Sequence, residues 1–306
     1  MWSYAGRRLL IGIPTLLGVA TISFLLLRLI PGDPARLMAG PTATPAQVEH
    51  LRQQFGLTGS ELSQYLKYLG KLATGNLGTS TLSGQSVVSE IATAFPYTLE
   101  LAVAAGFLAV LLGCPLGIIA ALRRGRITDT ALSGVSVLGV SMPVYWSGLL
   151  LIILFAVKLK LLPAAGAESV SSIILPSVTL SLFAIGFISR QTRSAMLEAL
   201  SQDYTRTARA KGMPAHTVIL KHALRNAAVP VVTVAGLQFG QLLGGAILTE
   251  TIFGWPGMGN LLVQAINARD YATVQGAVLL FAIAVMIVNL STDLLYAAID
   301  PRVRYV

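Results

Sequence analysis

Residues 190–225 read RQTRSAMLEALSQDYTRTARAKGMPAHTVILKHALR. This is the one long, strongly basic connector between two apolar runs. Seven of the chain's 22 Lys and Arg lie in it: Arg190, Arg193, Arg206, Arg209, Lys211, Lys221 and Arg225. Connectors rich in Lys and Arg resist translocation, so the segment is expected on the cytoplasmic side of a membrane. Its local signals are equally plain. Ser201 can cap a helix start. Gly212 can end that helix in a left-handed conformation, and Pro214 suits the first turn of the next.

Working outward, six runs are long enough to cross a hydrocarbon layer of about 30 Å, which takes about 20 helical residues. They cover 9–30, 98–122, 130–157, 169–189, 226–249 and 271–299. Between them lie an external segment at 31–97, the basic connector at 190–225 and an outer loop at 250–270. Segments 1–8 and 300–306 flank the set. Arg7 and Arg8 precede the first run, which is too long for a signal-peptide core and lacks a small-x-small site after it, so we expect it to be retained. Arg28, near the outer end of that run, is expected to snorkel to the interface. With both termini inside, 14 basic residues fall in cytoplasmic segments and seven in external ones. That asymmetry fits an even number of spans.

Composition agrees. The 306 residues are 54% hydrophobic and only 11% charged, against about 25% charged in soluble domains. The fold class expected is an all-α polytopic membrane protein. The net charge of +9 follows from topology, so no nucleic-acid partner is implied. Cys114 is the single cysteine. It excludes an internal disulfide framework and reads as a small buried hydrophobe. No metal site is expected, since His50, His216 and His222 form no cluster.

In the external segment, Thr44-Pro45 opens a capped helix that should end at Gly56, and Ser60 can cap a second. Residues 75–78 read as a turn. The loop TIFGWPGMGNLLVQAINA carries no charge, yet Gly254, Pro256, Gly257 and Gly259 interrupt it. It is expected to be partly re-entrant or interfacial, at an outer mouth lined by Phe253, Trp255 and Pro256.

The chain has no G-x-x-x-x-G-K-[ST] phosphate loop and no other nucleotide or hydrolytic motif, so no enzyme activity is expected of it. Its spans carry almost no ionisable groups, which weighs against a stand-alone ion-coupled carrier. Uphill transport would need a partner's energy. Ser141, Gln238, Gln241 and Asn289 are the candidates for a solute pathway; helix-to-helix hydrogen bonding is the other reading of each. Pro143, Pro176 and Pro230 are expected to kink or start helices.

Asp203-Tyr204, Thr207-Ala208-Arg209-Ala210-Lys211-Gly212, Lys221-His222-Ala223-Leu224-Arg225-Asn226 and Pro230 together resemble the signature loop of binding-protein-dependent ABC importer permeases. The match is to the dipeptide, oligopeptide and nickel branch. Pro31-Gly32-Asp33-Pro34, Gly78-x-Ser80, Ser141-Met142-Pro143, Leu175-Pro176 and Gln238-Phe239-Gly240 extend the resemblance. So do Gly244-Gly245, Glu250-x-x-Phe253-x-Trp255-Pro256-Gly257-x-Gly259, Arg269-Asp270-Tyr271 and Asp300-Pro301-Arg302. One departure is notable: the broad signature opens Glu-Ala-Ala where this chain has Arg206-Thr207-Ala208, so a salt bridge assigned to that Glu does not carry over.

The resemblance implies an importer-permease bundle paired with a second homologous permease. Two cytoplasmic ATPases would lie below and an external solute-binding protein above, all in a bacterial inner membrane. It implies that ATP and Mg are held by the ATPases and that this chain binds no cofactor. The cargo implied is a dipeptide, oligopeptide or glutathione, with nickel or another metal chelate as the alternative. Asp203, Tyr204, Thr207, Ala208, Arg209, Lys211 and Gly212 would form the ATPase-coupling element. Helical spacing puts Tyr204, Ala208 and Lys211 near one face, expected to be the contact face. A basic loop resting on anionic lipid is the bland alternative.

Overall fold

A computed structural model of the chain describes residues 2–29, 34–40, 43–54 and 58–299. The expected helix end at Gly56, residues 31–33 of the Pro-Gly-Asp-Pro motif and the tail 300–306 lie outside them. Among the described residues the secondary structure is helical, with one isolated bridge between Thr79 and Ser86.

The helices in order are α1 (Trp2–Leu29), α2 (Pro34–Ala39), α3 (Pro45–Gln54), α4 (Glu61–Ala73), α5 (Val87–Leu122), α6 (Ile127–Ser141) and α7 (Val144–Leu151). Then come α8 (Ile174–Ser201), α9 (Asp203–Ala210), α10 (Ala215–Thr217), α11 (Leu224–Phe253), α12 (Met258–Asn267) and α13 (Tyr271–Ile299). A π-helical stretch, Ile152–Lys158, continues α7, and another, Val218–Ala223, joins α10 to α11. Among the described residues, four helical stretches are long and apolar enough to cross a membrane: Val87–Leu122, Val170–Ser201, Ala215–Phe253 and Tyr271–Thr292. The pair α6–α7 passes the same test as a broken span, and among the described side chains α1 carries the apolar stretch Leu10–Leu26.

The single run expected at 130–157 is therefore two helices at 105°. Pro143 causes the break. It lacks the N–H that would continue α6, and it holds Met142 extended at φ −77°, ψ 128°. The helices also outrun the apolar segments. α8 continues past 189 to Ser201, and α11's helix already begins in the basic connector.

The chain divides into two compact units. One comprises Met1–Leu9, Tyr97–Asn260 and Ala284–Val306; the other comprises Leu10–Pro96 and Leu261–Ile283. In the first, α8 is central: 56% of its apolar window is buried, against 28% for that of α5. Leu180, Ala184, Ile188 and Met196 of α8 share a core with Leu101, Ala105 and Ala109 of α5 and with Leu242 and Ala246 of α11. Small residues permit the close approach. A Cβ on Gly117 would strike Ser189 O, and one on Gly186 would strike Ser136 O. Ser136 then donates a hydrogen bond to Ser189 at 3.0 Å, tying α6 to α8. Cys114, expected to be buried, is half-buried beside Thr192.

In the second unit, Thr44 and Gln47 cap α3 reciprocally: Thr44 N donates to Gln47 Oε1 at 2.8 Å, and Gln47 N to Thr44 Oγ1 at 3.4 Å. Ser60 caps α4 by accepting from Ser63 N. Arg28 donates to Gln64 at 2.5 Å and lies over the Phe24 ring.

Candidate functional site

The connector folds as two helix extensions flanking one short helix. Ser201 closes α8 rather than opening α9, since its hydroxyl donates back to Glu198 O at 2.7 Å. The expectation that Ser201 caps the following helix is thus corrected. Gln202 takes that place, extended at φ −72°, ψ 152°, with its carbonyl accepting from Thr205 N and Arg206 N. Asp203 sits in the first turn of α9, where its charge complements the helix dipole. At the other end Gly212 has φ +76°. Gly212 N donates to Arg209 O at 2.9 Å, and Met213 N to Ala208 O at 3.3 Å. These two bonds are the paired closure of a Schellman motif, whose left-handed position glycine fills without strain. Pro214 stands just before α10, its carbonyl accepting from Thr217 N and Val218 N.

What turns α9 is its inner face. Thr205 is fully buried and donates to Ala199 O of α8 at 2.8 Å. Ala208, expected on the outward contact face, is only 5% exposed. It points into the chain, where α9 packs on α8 and on the π-helical stretch with buried Val218 and Ala223. Asp203, Arg206, Thr207, Arg209, Ala210 and Lys211 are exposed, and Tyr204 stands at the rim, 39% exposed. The exposed face of α9 therefore runs along Arg206, Arg209 and Lys211 rather than along the Tyr204–Ala208–Lys211 stripe. Arg206 lies 3.7 Å from Asp203; both are solvated, and such a pair contributes little.

Arg193, counted among the loop's cations, is committed elsewhere. Its Nε donates to Asp129 Oδ1 at 2.7 Å and its Nη2 to Oδ2 at 2.8 Å. Gly125 N donates to the same carboxylate at 3.0 Å, and Ser133 Oγ at 3.4 Å. Asp129 is buried in the turn before the apolar run from Thr130. The Arg193 hydrogen bonds, then that from Gly125, hold its carboxyl well below the usual carboxylate range. A bidentate Arg–carboxylate pair fixes orientation as well as distance, so it clamps the start of α6 to α8.

The pathway candidates are not alike. Gln238 is buried, and its Oε1 has no partner among the described residues. Ser141, at the broken end of α6, Gln241 on α11 and Asn289 on α13 are exposed. Asn289 Oδ1 lies where a Cβ on Gly240 would meet it at 3.3 Å.

Of the three residues expected at an outer mouth, only Pro256 is exposed. Phe253 and Trp255 are buried and hold the turn together; Trp255 Nε1 donates to Tyr97 O at 3.0 Å. The turn has a clear physical cause. Gly254 adopts φ +56°, and the chain reverses so that the carboxylate of fully buried Glu250 meets the start of α12. Glu250 Oε2 accepts from Gly259 N at 2.6 Å and Asn260 N at 3.2 Å. A Cβ on Gly257 would strike the Glu250 carboxyl, and one on Gly259 would strike Ile247 Cα. The Glu-x-x-Phe-x-Trp-Pro-Gly-x-Gly string is thus one capped reverse turn.

A second polar cluster was not anticipated. Asp270, also buried, accepts from Ser80 Oγ at 2.6 Å, Thr81 N at 3.0 Å and Thr273 Oγ1 at 2.9 Å. Two of the quoted motifs, Gly78-x-Ser80 and Arg269-Asp270-Tyr271, meet there. The available signal was an acidic residue isolated in a nearly uncharged stretch.

An all-helical bundle with a capped eight-residue helix on its basic connector has the architecture of an importer permease subunit. Solved structures share the fold. The inward-facing MetNI methionine ABC transporter superposes with a TM-score of 0.60 at 22% identity, covering 69% of this chain and 96% of that one. An amino acid ABC transporter with histidines gives 0.51 at 16%, covering 70% and 94%. Residues 113–305 match the family described as "Binding-protein-dependent transport system inner membrane component", and residues 1–102 match its N-terminal companion. The chain belongs to this family of inner-membrane permease components of ABC importers. It is a transport subunit rather than an enzyme, and its family works with ATPase and binding-protein subunits. Among curated relatives, the "Glutathione transport system permease protein GsiC" of Escherichia coli K12 is 46% identical over 305 residues, and that of Salmonella paratyphi A 47%. Each alignment covers 100% of both chains.

Proposed function

We propose that this chain is one of two homologous permease subunits of an ATP-driven importer of glutathione or a closely related small peptide. In this reading six spans place both termini and the 190–225 segment in the cytoplasm, the side favoured by its seven basic residues. Two ATPases, holding ATP and Mg, dock on α9, and an external solute-binding protein delivers cargo. The observation that carries the coupling role is α9 itself, which presents Arg206, Arg209 and Lys211 outward while Thr205 and Ala208 anchor it to α8. Closure of the ATPases would press on α9, and α8, packed on α6, α7 and α11, would carry that motion into the bundle. Gln238 is the pathway candidate with a free buried acceptor. Full-length identity of 46–47% to glutathione permeases supports the cargo assignment.

The test is uptake by the complete complex in proteoliposomes. Labelled glutathione, a dipeptide and a nickel chelate are offered singly, with and without ATP. ATP-dependent glutathione accumulation is expected. Uptake of the nickel chelate alone would move the assignment to metal import, and uptake without ATP would overturn the importer reading.

A further inference from the structure

We infer that α4 is an interfacial helix whose leucine face lies on lipid at the Leu29 end of α1. α4 has no buried residue, yet it is strongly two-sided. Tyr65, Tyr68 and Leu72 share one direction at helical spacing, and Leu62, Leu66 and Leu69 stand about 100° round from them. The tyrosine strip is packed within the chain. Tyr65 meets the Phe24 ring of α1 edge-on with centroids at 5.1 Å, Tyr68 stacks on it at 5.6 Å, and the Tyr65 hydroxyl bonds Thr21 at 2.7 Å. The leucine strip is not, since Leu62 is 67% exposed and Leu66 58%. Lys67 and Lys71 occupy the opposite side and are exposed.

Two observations identify lipid as what covers this strip. The first is depth. Thr21 and Phe24 lie seven and four residues before Arg28, the first charge at the outer end of α1, or about 10 and 6 Å along the helix. Contact with Thr21 therefore sets α4 within the band of about 5–10 Å at which amphipathic helices sit in the boundary between headgroups and acyl chains. The second is continuity. Ile22, Leu25, Leu26 and Leu29 of α1 are themselves exposed, between 52 and 77%, so the leucines of α4 extend an apolar surface that already belongs to a membrane helix. The polar groups fit the same placement. The lysines face away from the apolar arc, toward water. Arg28, at that boundary, is held by Gln64 of α4 and the Phe24 ring.

Unmodified protein in the assembled transporter, in nanodiscs containing a phospholipid with a diazirine on its acyl chain, provides the test. Illumination should place adducts on Leu62, Leu66 and Leu69, while Lys67 and Lys71 react with a water-soluble amine reagent. Adducts missing from α4, with the lysines reactive, would mean a solvated face and overturn the proposal. So would cross-linking of the leucine strip to another subunit. As an independent readout, nitroxides are attached at Leu66→Cys and at Lys67→Cys in a Cys114→Ser chain. Molecular oxygen should relax the first several-fold more than a water-soluble nickel chelate does, with the reverse at the second. Equal nickel access at both sites refutes lipid contact.

Discussion

Replacing Gly212 by valine isolates the cost of one backbone conformation. A Cβ built on Gly212 meets nothing within 4 Å, so no clash contributes. What remains is the penalty for a side chain at φ +76°, roughly 1–2 kcal/mol. That is a five- to thirty-fold change in a local equilibrium, small beside the folding of a whole bundle. The strain is relieved if the last turn of α9 unwinds, releasing the bonds from Gly212 N to Arg209 O and from Met213 N to Ala208 O. Arg209 and Lys211 then lose their fixed presentation. Asparagine tolerates the left-handed region better than other non-glycine residues, which gives a graded series. Gly212→Asn should keep most uptake and ATPase attachment, Gly212→Ala should lose part, and Gly212→Val should lose most, all with near-normal membrane insertion. Co-purification of the ATPases and ATP-driven uptake are the assays. Equal behaviour of the Asn and Val variants, or wild-type uptake by Gly212→Val with the ATPases attached, would refute the conformational argument.

Ala208→Glu should detach the ATPases by prying α9 from α8, because it puts a carboxylate on a buried face; normal co-purification would show that α9 does not need this packing. Asp129→Asn and Arg193→Lys should both lower the thermal midpoint of the purified complex, since lysine cannot supply the two-pronged bond. The Asp129 carboxyl is held below its ordinary value, so its contribution is fully present above about pH 3.9 and is lost only as pH falls further. The Asp129→Asn penalty should therefore be the same at neutral pH and at mildly acid pH; a penalty that shrinks on mild acidification would contradict the pairing. Gly259→Ala should destabilise the protein more than Gly212→Ala does, because its methyl would meet backbone at Ile247 as well as the Glu250 carboxylate. A thermal midpoint equal to wild type would sink the account of the outer turn.

Apart from Ser201, local signals proved readable in the sequence. Ser60 caps its helix, Thr44 and Gln47 cap theirs, and Gly212 turns left-handed, because each depends on residues within a few positions. Hydropathy located the apolar runs but not the helix ends. α8 stays helical through polar residues to Ser201 because Thr192, Ala195, Met196 and Ala199 still pack inside the chain. The inward turn of Ala208 was hidden because helical spacing gives the stripe and not its direction; the Thr205 bond to Ala199 sets that. Ser80 and Asp270, 190 positions apart, and Asp129 with Arg193 were visible as residues but not as partners, since only the packed bundle brings them together.

The unbroken course of α8 also has a mechanical consequence. Its 28 residues make a rod about 42 Å long, longer than the roughly 30 Å of hydrocarbon it crosses. With no proline or glycine between Gly186 and the start of α9, this end of the rod has no joint at which a push could be absorbed. Displacing that end sideways by one helical turn, about 5.4 Å, about the far end tilts the rod by only about 7°. Membrane helices commonly lean by about 20°, so the lipid can accommodate a tilt of that size without the helix bending.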